Sequence, residues 1–489
     1  MDALDVVKPV GWHHLVVEPR RPEMIRRRPD AFWLAVAAVC IGAFMGQLDA
    51  SIVTVALPTL QRTFHASVGA VTWVGLSYLL VLVATVAAVG RFADMWGHKL
   101  LYVYGFGIFI VGSALCGLAP NLGLLIGFRA LQAVGAALLQ ANSVAIIVLA
   151  VPKTSLGRAI GIQGAAQAVG LALGPSVGGF LLAAGGWRLI FFVNVPFGLL
   201  GMIAGLLLIP RSRHLQARVR FDWTGLALFF PAVVAVFTAI SFGNSEGWTS
   251  PPIIVLFVMG VALAVGFVRR ELRCGEPMLD MALFRRSRFG TGIASSMLAY
   301  LVMFGVLFLV PFYLERSLLF GSGRAGLELM TMPLALGVTA PFAGRLADRL
   351  GARPPTIAGM ATVAGALAAL GALRPTTPAF LLLLAVVGIG LGLFIPANNA
   401  AIMGSAPKGQ SGLASGVLNM TRGMGTALGL ALTGLVFDVA GGTSSASPAV
   451  ARAFTVTALF LAALAVAAGV IAGLRRGGPL ERSIHSRVE

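Results

Sequence analysis

GRFADMWGHK at residues 90–99 and GRLADRLGAR at 344–353 are one short charged phrase written twice, 254 positions apart, in a chain of 489 residues. Each copy lies between two long apolar stretches, so each reads as a hydrophilic turn joining two membrane helices, and the pairing predicts two related halves. The match extends further. GIQGAAQAVGLALGPSVGG at 161–179 aligns without gaps on GVLNMTRGMGTALGLALTG at 416–434, an offset of 255 that sets Gly161, Gly170, Gly174 and Gly179 against Gly416, Gly425, Gly429 and Gly434. Ala141 and Asn142 likewise resemble Ala397 and Asn398, at an offset of 256.

Hydrophobic residues make up 58% of the chain and charged residues 11%, against the roughly 25% charged residues of soluble domains. The expected fold class is therefore an all-α polytopic membrane protein. Apolar stretches of about 20 residues cross the hydrocarbon core, and fourteen can be marked: 32–58, 68–90, 100–119, 121–151, 158–184, 188–210, 222–243, 252–270, 289–314, 325–344, 354–373, 379–402, 411–437 and 450–474. The repeat assigns the first six to one bundle and the last six to the other, with two additional spans between them. An even insertion leaves both halves in the same orientation, as expected for parallel repeats about an axis along the membrane normal. The expected organisation is a tail at 1–30, a six-helix bundle at 31–211, a linker with two spans at 212–285, a second six-helix bundle at 286–475 and a tail at 476–489.

The formal charge of +18 orients the chain. With the N-terminus inside, 28 of the 36 basic residues fall in inner tails and loops and six in outer loops, while Arg129 and Arg422 lie inside spans. That asymmetry is the positive-inside rule, which places both termini in the cytoplasm and argues against a nucleic-acid partner. No removable signal peptide is evident, so the first span is the expected membrane signal. The tail ahead of it, with Arg20, Arg21 and Arg26 to Arg28, is read as unstructured or resting on anionic headgroups. Cys40, Cys116 and Cys274 are scattered and the six histidines dispersed, so no disulfide, metal site or cofactor is implied. Nothing resembles a catalytic triad or a phosphate-cradling loop, and an enzyme is not expected. Arginine outnumbers lysine 32 to 4, a bias that points to a GC-rich bacterial genome and hence to a bacterial inner membrane.

Individual residues carry the chemistry. Asp49 is the sole carboxylate deep within a span of the first half, where a charge costs a few kcal/mol; it reads as a proton carrier, as a counter-ion for a cationic substrate, or as half of an ion pair that fixes packing. At 1.5 Å per residue it lies about 16 Å below the outer surface and Arg129 about 12 Å below it, within one turn of each other. In the charged phrase Gly90 and Gly97 permit a tight reversal, and Asp94 can accept hydrogen bonds from a neighbouring helix N-terminus. Arg91 and Lys99 complete that turn, and Arg345 and Asp348 are its expected weaker counterpart. Gly170, Gly174 and Gly178 recur every four residues beside Pro175 and Gly179, a small-xxx-small stripe expected to form a close seam between the halves. Gln132, Asn142, Asn398 and Asn399 are expected polar cavity groups. Arg422 takes the place of Gln167 in the repeat, and contact with a substrate, pairing with Asp438 or a carbonyl, and packing all stay open for it.

Four signatures together resemble the major facilitator superfamily, specifically its fourteen-helix drug:proton antiporter branch. LDASIVTVALP at 48–58 is similar to LDxTIVNVALP, with Ser51 and Thr54 in place of Thr and Asn. GRFADMWGHK is similar to GxLADRxGRK, with Phe92, Met95 and His98 as changes. LLIGFRALQAVGAA at 124–137 has Ala133 where glycine is usual, and GLALGPSVGG at 170–179 is similar to the antiporter motif. The resemblance implies two bundles around a central cavity lined by the first and fourth helices, so that Arg129 and Asp49 could couple there. It further implies alternating access driven by protons, export of lipophilic small molecules, a monomer, and closure of the cytoplasmic side by Gly90, Arg91, Asp94, Gly97 and Lys99. Asp49, Arg129 and Pro175 have no matching residue in the second half, which makes the first half the expected seat of proton coupling.

Overall fold

The computed structural model describes residues 18–212, 221–316, 320, 322–373, 377–441 and 447–474, save 276, 280, 286 and 408; residues 1–17 and the expected tail at 476–489 lie outside them. All regular structure among the described residues is helical. The long helices are α1 (Ala31–Phe64), α2 (Val68–Trp96), α3 (His98–Leu118), α4 (Leu122–Ala150), α5 (Leu156–Gly185), α6 (Asn194–Leu208), α7 (Trp223–Glu246), α8 (Pro251–Glu271), α9 (Ser287–Arg316), α10 (Thr331–Leu350), α11 (Arg353–Leu373), α12 (Thr377–Ser405), α13 (Ser411–Val439) and α14 (Ser447–Gly473). Within hydrocarbon every backbone group must bond internally, so continuous apolar stretches can only be helices. Among the described residues, thirteen helical spans are long and apolar enough to cross a membrane. The remaining helix, α13, has 29 residues but carries Asn419, Thr421, Arg422 and Thr426 in its middle.

Local chemistry marks the helix ends. Ser67, Asn121 and Asp222 accept the N–H groups of Ala70, Leu124 and Gly225 at the starts of α2, α4 and α7, the usual remedy for unpaired first-turn donors. The stretch expected as one span at 188–210 is broken: Arg188–Phe192 is a separate short helix, and α6 begins after Val193. The charged phrase is a turn only at its glycine. Gly90 to Trp96 complete α2, and the chain reverses at Gly97 with φ +115°; in the second copy α10 runs to Leu350 and Gly351 turns at φ +81°.

Helices α1–α6 pack around two apolar clusters, the larger of which also takes in Phe229, Phe289, Met403 and Leu413 from α7, α9, α12 and α13, while most of α9–α14 packs around a third. The halves meet along two equivalent seams, α2 against α13 and α5 against α10. Helices α7 and α8 pair with each other, and α7 rests on α2 and α13, across the join. Its anchors are aromatic: Phe221 stacks on Phe92 at 4.0 Å, Trp223 lies 5.7 Å from Phe92, and Phe242 lies 5.4 Å from Trp73.

The glycine stripe of α5 lies elsewhere than expected. A Cβ on Gly170, Gly174 or Gly178 would strike Phe44, Ser51 or Ile52 of α1, so the stripe is a seam inside the first half and not between halves. Gly425 and Gly429 meet Met297, Tyr300 and Leu301 of α9 in the same way. Another face of α5, with Gly157 and Gly161, crosses α10 between the halves, and Gly412 and Gly416 of α13 cross α2 as its repeat. Gly179 has no neighbouring heavy atom beyond its own helix within 4 Å and Pro175 is exposed, so neither belongs to a seam.

Candidate functional site

Asp49 and Arg129 meet at the centre of the first half. Arg129 Nη1 donates to Asp49 Oδ2 at 2.8 Å, and both side chains are fully buried. Asp49 Oδ1 accepts from Gln132 Nε2 at 3.0 Å and from Asn194 Nδ2 at 2.7 Å. Arg129 Nη1 also reaches Gln132 Oε1 at 2.7 Å, its Nε donates to the Val74 carbonyl at 3.2 Å, and the guanidinium lies 4.2 Å from the Tyr78 ring centroid. Every polar neighbour of the carboxylate is a donor, an arrangement that suits an ionised acid, and the guanidinium has both a charge partner and an aromatic face.

Asn194 was not anticipated. It opens α6 just after the break at Val193, and its amide also donates to Ser113 Oγ at 3.0 Å, which in turn donates to the Phe191 carbonyl at 2.8 Å. The available signal was an amide just before Pro196 inside an otherwise apolar span. Gln132 belongs to this network and not to a cavity wall.

At the face where α2, α10 and the described ends of the chain lie, two carboxylates bridge the halves. Asp94 Oδ1 and Oδ2 accept from the N–H groups of Gly412 and Leu413, 2.8 and 2.9 Å away, at the start of α13. Asp348 Oδ1 and Oδ2 accept from Gly157 and Arg158 at 2.7 and 2.9 Å, at the start of α5. Both contacts exist because glycines cross: a Cβ on Gly90 would overlap the Gly412 carbonyl, and one on Gly344 the Gly157 carbonyl. The second copy is thus the geometric equal of the first.

The first copy carries extra support. His98 Nε2 lies 3.3 Å from Asp94 Oδ1, and its Nδ1 lies 2.9 Å from Asn142 Oδ1. Asn142 therefore backs the turn instead of lining a cavity. Lys99 Nζ donates to the Pro19 carbonyl at 2.8 Å, and Glu18 accepts from Leu100 N at 3.2 Å and from Ser212 N and Oγ at 2.6 and 2.8 Å. The end of the N-terminal tail is accordingly packed on the protein, where the sequence suggested a segment unstructured or resting on anionic headgroups. Arg91 is buried in the same region.

Between the halves runs a narrow cleft with two adjoining lobes, each with room for only about one or two water molecules in this closed arrangement. Arg422 and Gln167 stand where the lobes join, with Arg422 Nη1 donating to Gln167 Oε1 at 2.7 Å. Asn399 lines the cleft. Asn398 does not: it is buried within the second half, donating to the Gly292 carbonyl at 3.1 Å. The adjacent positions diverge because neighbouring residues of a helix point about 100° apart. Asp49 also faces away from the cleft, which sets aside a direct role as counter-ion for a bound cation in this conformation.

The sequence profile described as Major Facilitator Superfamily matches residues 39–281 and 292–487. Among curated relatives, Multidrug resistance protein Stp of Mycobacterium tuberculosis (strain CDC 1551 / Oshkosh) is 34% identical over 82% of this chain and 75% of its own. Riboflavin transporter RibZ of Clostridioides difficile is 33% identical over 82% and 87%, and the tetracenomycin C resistance and export protein of Streptomyces glaucescens 30% over 84% and 76%. Among solved structures, the human organic anion transporter MFSD10 superposes with a TM-score of 0.67 at 14% identity, covering 91% of this chain and 100% of that one. The proton:xylose symporter XylE does so with a TM-score of 0.61 at 15% identity, covering 90% and 95%. Two six-helix bundles with two inserted helices, two glycine-crossed seams and these matches lead to one assignment: the chain belongs to the major facilitator superfamily of membrane transporters of small molecules.

Proposed function

We propose that the protein is a proton-coupled exporter of lipophilic drugs, antibiotics or related metabolites, acting as a monomer by alternating access in a bacterial inner membrane with both termini in the cytoplasm. The observation that carries proton coupling is the buried Asp49 carboxylate, ringed by Arg129, Gln132 and Asn194 and present in one half only. A network that costly to bury needs a use, and an acid that can exchange its guanidinium partner for a proton supplies one. Relatives named for multidrug and tetracenomycin C resistance support export.

In the proposed cycle, hydration from outside lets a proton onto Asp49 and frees Arg129. Substrate leaves outward, and the halves rock about the α2–α13 and α5–α10 seams. The proton then departs to the cytoplasm as fresh substrate enters. Asp94 and Asp348 act as latches of the cytoplasmic side, and both are engaged in this structure. The test is Asp49→Asn in everted vesicles energised by a pH gradient: gradient-driven transport should vanish while the protein stays in the membrane, and undiminished antiport would sink the assignment. The relative named as a riboflavin transporter favours a second reading, import or facilitated passage of a small metabolite. Under that reading an uncoupler would not raise cellular accumulation of the substrate, whereas under export it would.

A further inference from the structure

The cleft between the halves has a chemical sign. One lobe is polar, with Gln163, Gln167, Asn399, Asn419 and Arg422 on its wall, and the other is apolar, with Met303, Met332 and Leu336. Arg422 stands at their junction because the repeat puts it there. Residues 167 and 422 occupy equivalent positions, and the pseudo-twofold axis brings them face to face.

A guanidinium keeps its proton under any physiological condition. Its partners here are neutral: the Gln167 amide oxygen at 2.7 Å and the Tyr300 ring, with its centroid 5.5 Å away. No carboxylate is among the described residues that line either lobe, and Asp49 is sealed inside the first half against Arg129. The cleft therefore carries a positive charge that no protein acid on its walls offsets. Asn399 Oδ1 on the same wall has no hydrogen-bond partner and offers an acceptor to a hydroxyl or N–H of a ligand.

We propose that the transported substrates are amphiphilic organic anions, with the acidic group taken by Arg422 in place of Gln167 and the apolar body laid against Met303, Met332 and Leu336, and that lipophilic cations are disfavoured. The proposal names the substrate class of the exporter reading above and rests on it. A carboxylate or sulfonate can accept the guanidinium fork in a charge-assisted pair that Gln167 cannot match, while a cation entering the same cleft meets like charge in a poorly hydrated space.

Fluorescein and rhodamine 6G share a xanthene frame and differ in charge, so they are the probes. Fluorescence polarisation with the purified full-length chain at pH 8 should give at least tenfold tighter binding of fluorescein. Arg422→Gln should erase that preference, and Arg422→Lys should retain most of it. Rhodamine 6G bound as tightly as fluorescein, no binding of fluorescein, or an unchanged preference in Arg422→Gln would each overturn the proposal. Efflux of both dyes from cells, with Asp49→Asn as control, separates the two readings. Asp49-dependent efflux of rhodamine 6G with no anion preference leaves the exporter standing and removes the anion site. Arg422-dependent binding of fluorescein without Asp49-dependent movement keeps the site and removes proton-coupled export.

Discussion

Replacing Asp94 by Asn tests the latch quantitatively. The carboxylate accepts two backbone N–H groups at the start of α13, and the side chain is buried in the closed arrangement. Asn keeps one carbonyl oxygen, turns an NH₂ toward the other donor and loses the charge facing the positive end of the helix dipole. Hydrogen bonds to charged groups contribute about 1.5–3 kcal/mol and a helix-terminus charge about 0.3–1 kcal/mol, so the closed state should lose about 2–4 kcal/mol, roughly 30- to 700-fold in the open-to-closed ratio. In the open state Asp94 is solvated and loses little. Hydrogen exchange with mass spectrometry reads the change. Peptides over 411–415 accelerate from the local defect alone; peptides over 156–160, whose Gly157 and Arg158 amides bond Asp348, accelerate only if both latches open in one rigid-body motion. Acceleration of both is the expected result. Acceleration confined to 411–415 would refute concerted rocking, and less than about twofold at both peptides would refute a load on Asp94.

Asn194→Ala strips Asp49 of one donor and leaves Ser113 a partner short, which should cost about 1–3 kcal/mol and lower the thermal midpoint in detergent. Gly174→Val places a side chain on Ser51 and should abolish the monodisperse peak in size-exclusion chromatography, while Gly179→Val, with nothing near, should elute unchanged. At the start of α7, burial by itself pushes the Asp222 carboxyl up, but the Arg270 fork and the Gly225 N–H outweigh it and hold the group below the ordinary carboxylate range. The folded value lies below the unfolded one, so this stabilisation is complete above about pH 4 and fades as pH falls through the folded value. Thermal melts from pH 6 to pH 3 should show that loss, and Arg270→Gln should flatten it.

Much of this protein is written along the chain. The fourteen apolar stretches, the offsets of 254 and 255 and the charged phrase carry local information, because hydropathy decides what crosses a bilayer and an internal repeat decides how the halves correspond. The depth of Asp49 and Arg129 also follows from counting, since helical rise is constant, and depth was enough to pair them. The helix that fills each groove was not legible. A stripe at Gly170, Gly174 and Gly178 identifies a face of α5 but is silent about the neighbour, which proves to be α1 of the same half. Asn142 and Gln132 read as cavity polarity because an amide in an apolar span looks the same whether it meets solvent, His98 or Asp49.

The sequence by itself determined the membrane class, the duplication, the two intramembrane charges and their common depth, all of which depend on composition and spacing within one segment. Tertiary structure alone decided that Asn194 completes the carboxylate's shell, that Asp348 is as well seated as Asp94, and that Arg422 faces its own repeat-mate across a cleft with no acid among its described lining residues. Each of those depends on the rotation of one helix relative to another, and that rotation is set by how glycine-crossed seams let distant segments approach.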